Sequence, residues 1–122
     1  MRIQAITLIV EDVAVARDFY IKALELPVHF EDAESVVFDV GGVLVNLLAA
    51  DAAPELIEPL QVAPASAGVR VQVTLPVDDV DAVAASLTER GITLVRGPED
   101  RPWGVRTASF RDPFGHLWEL AK

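Results

Sequence analysis

The chain has 122 residues, no cysteine, and a formal net charge of −9 from 10 basic and 19 acidic residues. This length suits one ordinary domain with a real core, and the lack of cysteine excludes disulfides and thiolate metal sites. The acidity argues against nucleic-acid binding. It favours a cationic small molecule electrostatically, but taken alone it is better explained as a charge that keeps the protein soluble. No segment predicts a membrane span or signal peptide, so we expect a cytoplasmic protein.

The first part of the chain has the pattern of a β-α-β-β-β unit. Residues 3–10 are β-rich and predict a largely buried strand. Asp12 is a good N-cap for an amphipathic helix, which Pro27 ends. A short strand is predicted at residues 28–30, and residues 35–38 and 43–48 are predicted to form a hairpin across Gly41 and Gly42.

The second part of the chain repeats this order after a segment rich in alanine and proline. Residues 49–68 are predicted to be a linker, with a helical turn at 55–60. A strand at 69–75, a helix capped by Asp79 and ended by Gly91, and a strand at 92–95 follow. A loop at 97–104 then leads to strands at 105–110 and 117–120. We therefore predict one domain, 1–122, with module one at 1–48 and module two at 69–122.

Sequence echoes support this tandem arrangement. Five positions of the first hairpin have counterparts 73 residues later in the last hairpin: Asp39, Gly42, Leu44, Asn46 and Leu47 match Asp112, Gly115, Leu117, Glu119 and Leu120. The first strand and helix start recur 67 residues later, with Thr7 matching Thr74 and Asp12 matching Asp79. The chain is therefore predicted to be a duplicated unit of about 50 residues.

Strand alternation then selects candidate site residues. In the last strand, Glu119 shares a face with Leu117, whereas Trp118 and Leu120 share the other face. A carboxylate within an apolar strand is costly unless it is paired or used, so Glu119 is the first site candidate. The wholly apolar face of the first strand of each module should lie under the helices. The remaining face predicts a cavity lined by Ala5, Thr7, Asn46, Gln72, Thr74 and Glu119.

Three motifs resemble those of the vicinal oxygen chelate superfamily, which groups glyoxalase I, bleomycin-resistance proteins and extradiol dioxygenases. They are residues 10–12 with Phe19, Tyr20 and Leu24, the segment Pro102-Trp103-Gly104, and residues 112–120. Glu25 departs from the pattern, because the family usually has glycine there. The resemblance implies an α+β fold of two tandem β-α-β-β-β modules whose curved mixed sheets surround a cavity, and it implies a homodimer.

The resemblance also implies where a metal would bind. The four ligand positions of the metal enzymes fall on Ala5, Asn46, Gln72 and Glu119. Only Glu119 matches the metal pattern well, since alanine cannot ligate and a transition metal prefers imidazole and carboxylate donors. We therefore expect no metal cofactor.

The resulting hypothesis is metal-independent binding of a small aromatic or cationic molecule, such as sequestration of an antibiotic, with no catalytic residue. Trp103 either plugs the core under its loop or stacks on a flat ligand. Arg106, on the neighbouring strand, is a candidate cation for Glu119. The predicted ligand contacts are Trp103, Glu119, Gln72, Asn46, Arg106, Phe30 and Phe38.

Two alternatives stay open. The first is a glyoxalase-like lyase, isomerase or dioxygenase that holds a divalent metal through Gln72 and Glu119, or a metal-free enzyme with Glu119 as general base. The second is a non-catalytic sensor or accessory subunit.

Overall fold

The computed structural model describes residues 1–122, and every helix and strand falls within one of two units, Met1–Ala67 and Gly68–Lys122. The first unit contains β1 (Ala5–Val10), α1 (Val13–Leu24), β2 (Phe30–Glu31), β3 (Ser35–Val40), β4 (Val43–Ala49), α2 (Pro54–Ile57) and a 3₁₀ turn (Ala65–Ala67). The second unit contains β5 (Gln72–Pro76), α3 (Val80–Glu89), β6 (Leu94–Asp100), β7 (Arg106–Arg111) and β8 (Leu117–Ala121). Both predicted β-α-β-β-β modules are present.

Each unit builds one mixed sheet of four strands. The strand order is β1-β4-β3-β2 in the first unit and β5-β8-β7-β6 in the second. The first and last strands of each module pair in parallel, and the other pairs are antiparallel. The predicted α+β fold of tandem β-α-β-β-β modules is therefore confirmed.

Both long helices begin where the sequence predicts. The carboxylate of Asp12 accepts a hydrogen bond from the backbone N–H of Val15 at 3.1 Å, and that of Asp79 accepts one from Ala82 at 3.0 Å. Each side chain thereby satisfies one of the free N–H groups of the first turn. None of the three α-helices has the length and apolar character of a membrane span.

The two helices end differently. After α3, Gly91 has a φ of 85°, and the N–H of Ile92 reaches the carbonyl of Leu87 at 3.0 Å, as in a Schellman motif. After α1, the corresponding left-handed residue is Glu25, with φ 52° and ψ 36°. A residue with a Cβ is strained in that region of φ and ψ.

Glu25→Gly is therefore expected to raise the free energy of unfolding by about 1 kcal/mol. Urea unfolding followed by circular dichroism measures the change. Glu25→Ala is the matched control, since it removes the carboxylate but keeps the Cβ. An equal gain in both variants would contradict the strain explanation, because the charge would then be the cause.

The cores lie between each helix and one face of its sheet. In the first unit, Tyr20 of α1 and Phe38 of β3 are fully buried, with ring centroids 6.3 Å apart. In the second unit, the fully buried Trp118 of β8 stacks on Phe110 of β7 at 6.3 Å. The prediction that Trp118 is a core residue is confirmed, and burial of each such ring contributes roughly 1.5–3 kcal/mol.

Two segments differ from the sequence prediction. Residues 49–67 belong to the first unit: the N–H of Ala50 bonds the carbonyl of Val10 at 2.8 Å, and the Glu11 carboxylate accepts from the N–H of Ala65 at 3.2 Å. In the second unit, β6 runs on through Gly97 to Asp100, where a loop was predicted. Register shifts between Leu94 and Arg96, and again between Arg96 and Glu99, break the periodicity on which the prediction relies.

Candidate functional site

Each sheet has one face packed against its helix and one face free of helices, which we call the helix-free face. In β8, Trp118 and Leu120 are buried on the α3 side. Leu117, Glu119 and Ala121 therefore lie on the helix-free face of the second sheet. This alternation places the carboxylate of Glu119 where the sequence predicts it, away from the apolar core.

Glu119 lies in the middle of a row of polar residues that crosses the second sheet. Its neighbours in register are Thr74 on β5, Ser109 on β7 and, beyond Ser109, Arg96 on β6. The hydroxyl of Thr74 donates to Oε1 of Glu119 at 3.0 Å, and Glu119 forms no ion pair. Because a carboxylate accepts up to about four hydrogen bonds, Glu119 retains most of its capacity for a ligand.

Two arginines converge on one glutamate on the same face. Nε of Arg96 and Nη1 of Arg101 each lie 2.8 Å from Oε1 of Glu99. Nε of Arg101 also donates to the hydroxyl of the buried Thr107 at 2.9 Å. Thr107 is in register with Glu99 and Ala121, so this cluster belongs to the helix-free face. These bonds restrict the motion of the Arg101 guanidinium.

Trp103 contacts this cluster through Arg101. Its ring lies 5.8 Å from the guanidinium carbon of Arg101, within range for a cation–π contact. The turn that carries it is closed by a hydrogen bond from the N–H of Gly104 to the carbonyl of Arg101 at 3.0 Å. The side chain is 71% exposed, so Trp103 is not a core plug and has ring surface free for stacking.

The first sheet carries a related but weaker row. Asn46 of β4 lies between Thr7 of β1 and Val37 of β3, and Phe30 of β2 follows Val37 in register. The amide of Asn46 donates to the Thr7 hydroxyl at 3.4 Å, while its buried Oδ1 has no hydrogen-bond partner. Phe30 is half exposed at the sheet edge. Asn46 and Phe30 thus share the helix-free face of the first sheet.

Two predicted ligand contacts lie on the wrong face. Phe38 is fully buried against α1, because its neighbour Val37 is the residue in register with Asn46. Arg106 is on the α3 side, since Ser109, three residues away, is opposite Glu119. The structure therefore corrects the prediction that Phe38 and Arg106 contact a ligand beside Glu119.

Arg106 has carboxylate partners of its own. Its Nε and Nη2 donate to Asp81 of α3 at 2.6 and 2.9 Å, and its Nη1 donates to Asp100 at 3.0 Å. The hydrogen bond from Arg106 lowers the pKa of Asp81, and the two carboxylates raise the pKa of Arg106. Arg106 thus connects α3 to its sheet and leaves Glu119 without a cation.

Gln72 lies on the helix-free face near Glu119, one strand away and two residues from Thr74. These two side chains are the metal-ligand positions that the sequence places in the second unit. Together they offer one carboxylate, already bonded to Thr74, and one neutral amide. No group of three His, Cys, Asp or Glu side chains is arranged to hold a metal ion. This donor set does not fit a divalent transition metal, which prefers imidazole, thiolate and carboxylate.

Sequence reasoning missed three residues of this face: Arg96, Ser109 and Arg101. Ser109 could have been found by counting back from the turn, since strand pairing across a four-residue turn sets the register. Arg96 and Arg101 could not, because the irregular backbone around Gly97 decides which way their side chains point.

Comparison with known proteins identifies the family. The profile of the glyoxalase/bleomycin resistance protein/dioxygenase superfamily matches residues 2–120. The chain belongs to this superfamily. The superfamily resemblance seen in the terminal and first-helix motifs is therefore confirmed.

Relatives of this superfamily member cover most of its length. The protein YraH of Bacillus subtilis is 31% identical over 100% of this chain and 98% of its own length. The protein Rv0887c of Mycobacterium tuberculosis is 34% identical over 94% of this chain and 71% of its own length. These matches support the family and name no ligand.

Solved structures of superfamily proteins share the fold. A glyoxalase/bleomycin resistance protein/dioxygenase from Nocardioides aligns with a TM-score of 0.86 and 25% identity, over 99% of this chain and 82% of that chain. A lactoylglutathione lyase from Agrobacterium tumefaciens aligns with a TM-score of 0.79, over 98% of this chain and 92% of that chain. At 19% identity, this second likeness shows the fold alone.

Proposed function

We propose that this superfamily member binds a small aromatic molecule with a positively charged group, without a metal, on the helix-free face of the second sheet. The observation that carries the proposal is Glu119, a carboxylate whose one protein partner is the hydroxyl of Thr74 at 3.0 Å. A ligand amine would complete its hydrogen bonds and pair with its charge.

The aromatic part of the ligand is assigned to Trp103. This ring is exposed and is linked through Arg101 and Thr107 to the same face as Glu119. Gln72, on that face, supplies an amide for a further polar contact. Such an arrangement of one ring, one charge and a few hydrogen-bonding groups is typical of small-molecule sites. It requires no covalent or acid–base step.

The remaining expectations accompany this proposal. Asn46 and Phe30 are proposed contacts on the helix-free face of the first sheet, where Oδ1 of Asn46 lacks a partner. Sequestration of an antibiotic is the proposed physiological form of binding. We also propose a homodimer in the cytoplasm, and analytical ultracentrifugation of the purified protein tests the dimer.

The proposal is tested with 2-naphthylmethylamine, an aromatic cation, by isothermal titration calorimetry and quenching of tryptophan fluorescence. Trp118 is buried, whereas Trp103 is exposed, so the quenched signal should disappear in Trp103→Phe. Glu119→Gln keeps an oxygen for Thr74 but removes the charge. We expect it to weaken binding of the amine by about 10- to 100-fold, as for loss of a charged hydrogen bond.

Glu89→Gln is the matched control, because it removes one exposed carboxylate from the end of α3 and should leave affinity unchanged. Equal affinity of wild type and Glu119→Gln would contradict the proposal. So would a rise in melting temperature with Zn²⁺, Ni²⁺, Mn²⁺ or Fe²⁺ that is lost in Glu119→Gln and Gln72→Ala. That second result would favour the metal-dependent enzyme instead.

A further inference from the structure

The charge on the helix-free face of the second sheet differs from that of the whole protein. The chain has a net charge of −9. On this face, however, three arginines (Arg96, Arg101 and Arg111) oppose two glutamates (Glu99 and Glu119), as the strand register shows. A local excess of positive charge on an acidic protein is unexpected if the ligand is only a cation.

The excess of positive charge lies in the pair of arginines that share Glu99. Both Arg96 and Arg101 bond the same oxygen of this carboxylate, each at 2.8 Å. One carboxylate neutralises one guanidinium, so one positive charge of this cluster has no anionic partner. The Arg101 side chain is only 21% exposed, and water and salt therefore screen its charge less than that of a free surface arginine.

The geometry points to an anion as the missing partner. Nε and Nη1 of Arg101 are engaged by Thr107 and Glu99, but a guanidinium has five N–H donors. Arg96 is 64% exposed and has further donors as well. Two adjacent guanidinium groups with free N–H donors match the planar, bidentate shape of a carboxylate.

The anion site and Glu119 are separated along one row of the sheet. Ser109 stands between Glu119 and Arg96 in register. Because neighbouring strands are about 4.8 Å apart, the backbone positions of Glu119 and Arg96 lie roughly 10 Å apart. This is the scale of a two-ring aromatic molecule with substituents at opposite ends, and Trp103 lies beside the arginine end through its contact with Arg101.

We infer that the ligand carries a carboxylate as well as an amine, at opposite ends of an aromatic ring system, and that Arg96 and Arg101 bind the carboxylate. This inference rests on the proposed function, since it assumes that Glu119 takes the amine. It makes Arg96 and Arg101 specificity-determining residues that select a zwitterion over a plain cation.

Three naphthalene probes test the inference by calorimetry: 6-(aminomethyl)-2-naphthoate, 2-naphthylmethylamine and 2-naphthoate. We expect wild type to bind the zwitterion at least about 10-fold more tightly than the amine, as for one added charged hydrogen-bonded pair. The ratio of zwitterion affinity to amine affinity should fall in Arg101→Gln and in Arg96→Gln. In the double variant it should be close to one. Affinity for the amine should stay within about threefold in Arg96→Gln, because Arg96 is no part of the proposed amine or ring contacts.

Arg90→Gln is the control, because it removes a positive charge at the end of α3 and should leave the ratio unchanged. Circular dichroism confirms folding, and Arg96→Gln keeps the test valid if Arg101→Gln unfolds, since Arg96 is mostly exposed. A ratio near one in wild type, or a ratio that survives in the double variant, would overturn the inference.

The outcomes separate this inference from the proposed function. Amine binding that depends on Glu119, with no advantage for the zwitterion, would overturn only the arginine site. Binding of 2-naphthoate that depends on Arg96 and Arg101, with no effect of Glu119→Gln on any probe, would support the arginine site and overturn the role of Glu119. Failure of all three probes to bind would overturn both.

Discussion

Replacing Asp112 by alanine is expected to lower the free energy of unfolding by about 3 kcal/mol. Asp112 is 1% exposed, and its carboxylate bonds the backbone of the turn in the last hairpin. Its Oδ1 accepts the backbone N–H groups of Phe114 and His116 at 2.8 and 2.9 Å. Its Oδ2 lies 2.7 Å from Nδ1 of His116. Alanine would leave these groups unsatisfied in a buried turn, which costs more than the hydrogen bonds themselves contribute.

The first unit supplies a matched control. Asp39 holds the same place in the first hairpin, 73 residues earlier. It is exposed and accepts a single backbone hydrogen bond, from Gly42 at 2.8 Å. Asp39→Ala should therefore cost about 1 kcal/mol or less.

Urea unfolding of both variants measures the difference. Asp112→Asn keeps an acceptor for the two N–H groups and should lie between wild type and Asp112→Ala, so the comparison survives if the alanine variant does not fold. Equal losses for Asp39→Ala and Asp112→Ala would show that burial does not determine the contribution of this aspartate.

Gly97→Ala is the second change with a large expected effect, also about 3 kcal/mol. Gly97 has a φ of +83°, and a Cβ there would lie 2.5 Å from the carbonyl oxygen of Thr107 and 2.9 Å from Cα of Ala108. Both atoms belong to the backbone of β7 and cannot rotate away. Alanine would therefore strain its own backbone and also separate β6 from β7.

Gly104→Ala separates these two effects. Gly104 has a φ of +94°, but a Cβ there would meet no atom within 4 Å. The free energy of unfolding of this variant should fall by only about 1 kcal/mol, which is the cost of placing a Cβ in the left-handed region. Thermal unfolding measures both variants, and similar losses would contradict the role of the close strand contact. Gly97→Ala should also weaken binding of 6-(aminomethyl)-2-naphthoate, because Arg96 and Glu99 lie on either side of this glycine.

The sequence by itself determined the architecture, because the signals for it are local. N-caps such as Asp12 and Asp79 act within one helical turn. The alternation of Trp118 and Glu119 follows from strand geometry alone. The repeat then showed that the two modules share one plan, so Glu119 could be recognised as a polar residue outside the core before any contact was known.

Only the tertiary structure decided which side chains accompany Glu119. The sequence predicts Arg106 as a cation for Glu119 because it lies on the neighbouring strand, and it predicts Phe38 as an aromatic ligand contact. The pairing register turns both side chains toward a helix. Arg96 reaches the helix-free face because the register of β6 against β7 shifts between Leu94 and Arg96. A bulge changes the face of every residue that follows it, and its position depends on contact with the neighbouring strand.

The same division applies to the two equivalent hairpins. The sequence places an aspartate at the start of each turn, and both aspartates bond backbone N–H groups as turn residues do. The sequence does not show that Asp112 is buried and bonded to His116, whereas Asp39 is exposed. Burial depends on what packs around a residue from distant parts of the chain, and it decides whether the same hydrogen bond contributes little or much to stability.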